Sequence, residues 1–255
     1  MRVTMVGLCL LLCSKLVWGG TWRDDFGDGN LDEWSMALVR WPAWVLEHGV
    51  GNWHVEDDML IGGDHNINMV YSIVTGDLSW TDYTVEVSVN FSKALGNSPK
   101  WSGVFLYDRV QEQWGAYGIA MQNWGDQAPK QLQVEEGEQA KPPYEVVGGH
   151  IVLQANDRHI FPKLLFRTAG DRWYRLKVSI EGDVVRCFID DKKIIEFPGG
   201  GLYDSGRVGL SVNGVVARFD DFMVTGPQVP DGGSAFLVNP QAQLATIWAT
   251  IKRGK

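Results

Sequence analysis

The stretch Tyr83-Thr84-Val85-Glu86-Val87-Ser88-Val89-Asn90-Phe91 decides the fold class. Tyr83, Val85, Val87, Val89 and Phe91 fall on one side of an extended chain, and Thr84, Glu86, Ser88 and Asn90 on the other. Side chains alternate across a strand with period two, so this pattern marks a strand with one face in a core and one in water. A helix would scatter the same apolar residues around its circumference.

Downstream, the same alternation returns between Arg172 and Val224. Tyr174, Leu176, Val178 and Ile180 alternate, Glu181-Gly182-Asp183 turns the chain, and Val185, Cys187 and Ile189 come back. Asp190-Asp191-Lys192 turns it again toward Ile195 and Phe197. Val208, Leu210 and Val212 then lead into Asn213-Gly214, which reads as a type I′ hairpin into a closing strand over 215–224. Further strands are expected over 22–26, 53–55, 60–61, 69–75, 102–109, 117–122, 146–153 and 163–167. About thirteen strands with frequent turn signals predict an all-β, two-sheet antiparallel sandwich. The Gln-, Glu-, Gly- and Pro-rich segment 123–162 reads as a long excursion, and no internal repeat is present.

The ends read differently. Arg2, the apolar run Val6 to Leu12 and the Val17-Trp18-Gly19 boundary match a cleaved signal peptide over 1–19, so an extracellular or periplasmic location is expected. The run is shorter than the ~20 apolar residues a membrane span needs. Cleavage would remove Cys9 and Cys13 and leave Cys187 alone, so the sandwich must hold without an internal disulfide. Cys187 lies on the apolar side of its strand pattern and reads as a small buried hydrophobe. The sandwich is expected over 20–228, followed by a linker and tail over 229–255. In the tail, Asn239-Pro240 caps a short amphipathic helix with Leu244, Ile247, Trp248 and Ile251 on one face.

The 255 residues carry a formal charge of −8, and loss of Arg2 and Lys15 makes it about −10. The only basic cluster is Lys252-Arg253-Gly254-Lys255, which argues against nucleic acid and, apart from a possible role of the tail, against membrane contact. No signal for an oligomeric state is present.

Several segments together resemble concanavalin A-like, laminin-G-like jelly-roll domains: Trp22-Arg23-Asp24-Asp25-Phe26, Trp53 to Leu60, Asp82 to Val87, Asp171 to Val178, Phe188 to Asp191, Gly206 to Leu210 and Phe219 to Phe222. The resemblance implies two curved antiparallel sheets with the first and last strands adjacent. It also implies a choice among lectins, carbohydrate-binding modules, adhesion domains and glycosidases, because fold alone does not settle function. The Gln243 to Trp248 tail is similar to C-terminal segments of exported bacterial proteins, which suggests a structural protein tethered at the cell surface as one reading.

Related glucanases carry two carboxylates on one strand face, as retaining hydrolysis requires. The nearest stretch here offers Glu86 with Ser88 and Asn90, so the second acid is missing. Ser102 to Tyr107 and the later meander also resemble 3-keto-disaccharide hydrolase-type domains, which carry an acid on the following strand. Tyr117 to Gln122 has none, leaving Asp108 and Glu112 as catalytic candidates, with Asp108 and Arg109 otherwise read as a solvated loop pair. No cofactor is expected beyond a structural calcium where first and last strands meet. Asp24, Asp25 and Asp220 could supply ligands there, although Ca²⁺ takes six to eight oxygens and these acids equally suit a solvated sheet edge.

Trp34, Trp53, Trp80 and Trp173 stand where the resembling family places framework aromatics. Trp41 and Trp44, with Glu47 close behind, and Trp124 sit in loop-like stretches instead. Aromatic rings stack on sugar faces while acids and amides take the hydroxyls, so Trp41, Trp44, Trp124, Glu47 and Arg109 form the expected glycan-binding set. The function expected is a non-catalytic carbohydrate-binding or adhesion module for a glycan or polysaccharide, with a sugar hydrolase as the alternative.

Overall fold

In the computed structural model the deciding stretch forms β7 (Thr84–Phe91), with Val85, Val87, Val89 and Phe91 fully buried. The structure describes residues 19–36, 47–49, 52–65, 69–92, 102–111, 117–123, 145–148, 151–152, 158–159, 164–166, 169–198 and 203–234. The signal peptide expected over 1–19, Gly19 excepted, and the tail helix expected after Asn239 lie outside them.

Two eight-stranded sheets form the body. Across the first run β16 (Lys192–Pro198), β15 (Val184–Ile189), β14 (Trp173–Glu181), β7, β18 (Ala217–Gly226), β5 (Met59–Gly62) and β4 (His54–Glu56), with β1 (Gly20–Asp24) also on β18. Across the second run β13 (Leu164–Phe166), β10 (Glu145–Gly148), β9 (Tyr117–Asn123), β8 (Gly103–Val110), β17 (Arg207–Asn213), β6 (Met69–Thr75) and β2 (Ser35–Met36), with β3 (Glu47–Gly49) on β6. A separate ribbon pairs β11 (Ile151–Val152) with β12 (Arg158–His159). All described pairings are antiparallel except β3 on β6. The chain is an antiparallel jelly-roll β-sandwich, and its first and last strands pair from Gly20↔Gly226 to Asp24↔Phe222.

The core is what the alternation requires. Val85, Val87, Val89, Phe219, Phe222 and Val224 from the first sheet meet Ile73, Val104, Leu106, Val208, Leu210 and Val212 from the second. Burying such side chains contributes about 1.5–3 kcal/mol each before entropy is subtracted. Cys187 is buried among them as a free thiol, and burial pushes its pKa up.

Three expectations change. Asn213-Gly214 makes no hairpin: β17 belongs to the second sheet and β18 to the first, so the chain crosses the sandwich there. Gly214 takes a left-handed conformation (φ 60°), and its carbonyl accepts from Ser102 Oγ at 3.0 Å. The crossing follows from burial, because β17 and β18 face each other through the core with their apolar sides. Positive φ at two successive residues is instead found at Asp190-Asp191 and Asp57-Asp58, each in a two-residue connection. Asp tolerates this region better than most residues.

Segment 228–234, linker-like in composition, folds back on β1. Arg23 N donates to Gly232 O at 2.9 Å, Gly232 N to Thr21 O at 3.0 Å, and Thr21 N to the Asp231 carboxylate at 2.9 Å. Gly233 sits at φ 92°, where a Cβ would come within 2.1 Å of Arg23 O, so only glycine fits there. The strap covers an edge strand that would otherwise present unpaired backbone groups. The short strands β2, β3 and β12 were also not legible as strands.

Candidate functional site

The sequence candidates separate once folded. Asp108 and Arg109 lie at the end of β8, whose residues are buried along their whole length. Their side chains are 0% and 3% exposed, and Arg109 Nε donates to Asp108 Oδ1 at 2.7 Å. Arg109 also donates through a guanidinium N–H to Tyr203 O at 3.1 Å and through its backbone N–H to the Tyr83 hydroxyl at 2.7 Å. Burial, with the Asp108 charge second, pushes the Tyr83 phenol far up. The solvated loop pair read from the sequence is therefore a buried ion pair. Charges are carried into an interior only when paired and hydrogen-bonded, a condition that composition cannot show.

Asp24 has a comparable structural role. One oxygen accepts from Phe26 N at 2.8 Å and from Ser234 Oγ at 2.5 Å, and the other from Trp34 Nε1 at 2.7 Å. Asp220 sits at a bulge in β18 and is raised in pKa by burial first, with the Asp221 and Asp25 charges adding to it. Among the described residues no three His, Cys, Asp or Glu side chains are grouped to hold a metal ion, Asp24, Asp25 and Asp220 included. Trp41, Trp44, Glu112 and Trp124 lie outside the described residues, and of Glu47 only the backbone, at the start of β3, is described.

An open cleft lies elsewhere, on the face of the first sheet turned away from the core. One cross-strand row forms its floor: Trp173 on β14 stands opposite Asn90 on β7, Asn90 opposite Arg218 on β18, and Arg218 opposite Ile61 on β5. Strands lie ~4.8 Å apart, so the row extends about 14 Å. Met59 joins the floor, and Glu56 at the end of β4 with the turn residues Asp57 and Asp171 completes a cleft of about 440 Å³. Trp173 is 41% exposed, and Asn90 is 4% exposed. The Asn90 Oδ1 atom is buried without a hydrogen-bond partner. An unsatisfied buried acceptor of this kind is uncommon.

Trp173 was assigned to the framework, and the structure corrects that assignment. Trp34, Trp53 and Trp80 are buried in the core, whereas Trp173 is not. Its own strand held the signal: with Tyr174, Leu176 and Val178 inward, Trp173 and Arg175 must face outward. Glu86, further along the same face of β7, is tied to Lys177 Nζ at 3.2 Å. Lys177 is also held by Asp191 at 2.8 Å, the main cause of its raised pKa. The outward face of the second sheet is closed in the part described. There Phe105 and Tyr107 stack at 6.1 Å, and Ser72 Oγ donates to Ser211 Oγ at 3.0 Å, all four residues being buried.

With fold and cleft in view, the family model for the 3-keto-alpha-glucoside-1,2-lyase-like domain matches residues 21–225. The chain belongs to that family. The match spans the sandwich from β1 nearly to the end of β18. Solved structures share the fold. The carbohydrate binding module CBM66 from Bacillus subtilis superposes with a TM-score of 0.54 at 16% identity, covering 77% of this chain and 98% of its own. A glycoside hydrolase family 16 endo-glucanase from Bacteroides ovatus gives 0.53 at 15% identity, over 80% and 98%. SCLam, a non-specific endo-beta-1,3(4)-glucanase of family GH16, gives 0.50 at 14% identity, over 82% and 92%. A search of curated protein sequences finds no match.

Proposed function

We propose that this protein is a non-catalytic glycan-binding domain and that the cleft beneath Trp173 holds the sugar chain. The observation that carries the proposal is the partly exposed Trp173 indole set in one row with Asn90 and Arg218 on the floor of an open cleft. Sugar rings present C–H faces that stack on indole and hydroxyl edges that need both acceptors and donors. Glu56, Asp57 and Asp171 supply acceptors around the floor, and Arg218 supplies donors. The family match supports a carbohydrate ligand, and the fold shared with a carbohydrate binding module supports binding.

Titration of the full chain against an oligosaccharide array, followed by calorimetry on the hits, tests the proposal with Trp173→Ala as the control. A Trp side chain presents up to ~250 Å², of which about 100 Å² is open here; at ~25 cal/mol per Å² its complete covering would contribute about 2.5 kcal/mol. A sugar covering half to all of that area sets the expected loss at roughly 10- to 70-fold in affinity. Binding unaffected by Trp173→Ala would remove the cleft from the proposal.

The family match also favours a second, enzymatic reading. Eliminating the aglycone from a 3-keto-glucoside requires a base for the C2 proton and a donor to the developing enolate oxygen; the C1–O bond then breaks to leave a C1=C2 double bond, and the proton taken from C2 passes to the departing aglycone oxygen. Glu56, Asp57 or Asp171 would serve as the base and Arg218 as the donor. Release of aglycone from a 3-keto-glucoside by the full chain, lost in Arg218→Ala, would establish this reading over the first.

A further inference from the structure

Resting on the glycan-binding reading, we infer that the cleft selects uncharged glycans and rejects acidic ones. Its lining holds three carboxylates, Glu56, Asp57 and Asp171, against one cation, Arg218. His54 is near this rim, its Nε2 lying 3.9 Å from Glu56 Oε2, and offsets the surplus only when protonated. In the floor, the Asn90 side chain adds a buried acceptor, Oδ1, without a partner. A ligand must therefore bring donors to the carboxylates Glu56, Asp57 and Asp171. Sugar hydroxyls are donors; a uronate carboxylate at neutral pH has no proton to give and meets acceptors of its own sign.

The apolar part of the lining points the same way. Trp173, Met59 and Ile61 form a surface suited to a ring face rather than to a solvated carboxylate, which stays in water unless a cation compensates it. Arg218 could pair with one such group. It would do so under the field of two surplus negative charges, in a chain whose formal charge is already −8. Two net charges ~8 Å away in a water-like medium reduce the affinity of an added anion by about fivefold at low salt, and the effect fades as ions screen it.

The test uses the full chain on an array of neutral gluco-, galacto-, manno- and fructo-oligosaccharides beside oligogalacturonates and oligomannuronates of equal length. It is read at low and high ionic strength at neutral pH. Expected are neutral hits that persist at both salt levels and acidic oligomers weaker than the best neutral one by about fivefold or more at low salt. In the triple variant Glu56→Gln, Asp57→Asn, Asp171→Asn, the ratio of neutral to acidic affinity should move toward one, a readout that a purely structural role for these residues would not change. Acidic oligomers binding as tightly as neutral ones, or a ratio unmoved in the triple variant, overturns the charge selection and leaves glycan binding standing. Failure to bind any sugar overturns both.

Discussion

Replacing Asp24 tests whether this acid anchors the fold or ligates a cation. Its residue is 2% exposed, and its carboxylate accepts from three donors: Phe26 N, Ser234 Oγ and Trp34 Nε1. Trp34 cannot turn away easily, because Phe222 packs edge-on at 4.8 Å and Trp22 at 6.0 Å. In Asp24→Ala all three donors lose their acceptor. A buried donor left unsatisfied costs about 1–3 kcal/mol, and with Ser234 free to rotate the sum over the other two is about 2–6 kcal/mol. Asp24→Asn keeps one oxygen for Phe26 and Ser234 but turns an amide N–H toward the Trp34 N–H, so about 2 kcal/mol is expected.

Urea unfolding followed by tryptophan fluorescence measures both variants, with the slope checked so that the midpoints can be compared. The expected order of stability is wild type, Asp24→Asn, Asp24→Ala. Losses below about 1 kcal/mol in both variants would refute the anchoring role. If Asp24 instead held calcium, a chelator would mimic Asp24→Ala in the wild-type chain; the expected outcome is an unchanged midpoint.

Two further outcomes follow from the buried and half-buried charges. Arg109→Met leaves the Asp108 carboxylate without its guanidinium at 0% exposure, and a loss of about 3–5 kcal/mol in the same unfolding assay is expected. Asp220 has a raised pKa in the folded state, caused first by burial, so folding favours its protonated form. Its contribution is most favourable below the ordinary aspartate value and is lost as pH rises through the folded value. Asp220→Asn should therefore melt higher than wild type at pH 7, by on the order of a degree or two, with the gap closing as pH falls toward 3. A gap that widens in acid would contradict the assignment.

How much of this was legible in the chain depended on whether a signal was local. Period-two alternation marked β7, β14 and β15 with their buried sides assigned correctly, because side-chain direction in a strand depends on its neighbours alone. The adjacency of β1 and β18 came from resemblance instead. Asn213-Gly214 misled because a turn-forming dipeptide says that the chain reverses or bends, and not which sheet receives it. Asp108 and Arg109 were read outward since most charges are solvated; their partners, Tyr83 and Tyr203, stand 26 and 94 residues from Arg109. Trp173 was within reach, had its place opposite Tyr174 been weighed above the framework pattern.

The sequence by itself determined an antiparallel sandwich with a disulfide-free core, because burying alternating apolar faces leaves few other arrangements. Tertiary structure alone decided where the open cleft lies. The cleft floor joins Ile61, Asn90, Trp173 and Arg218 from four strands, and strand register is a property of paired chains rather than of any one segment. The same holds for the Asn90 side chain, whose burial depends on the register that sets Trp173 and Arg218 on either side of it.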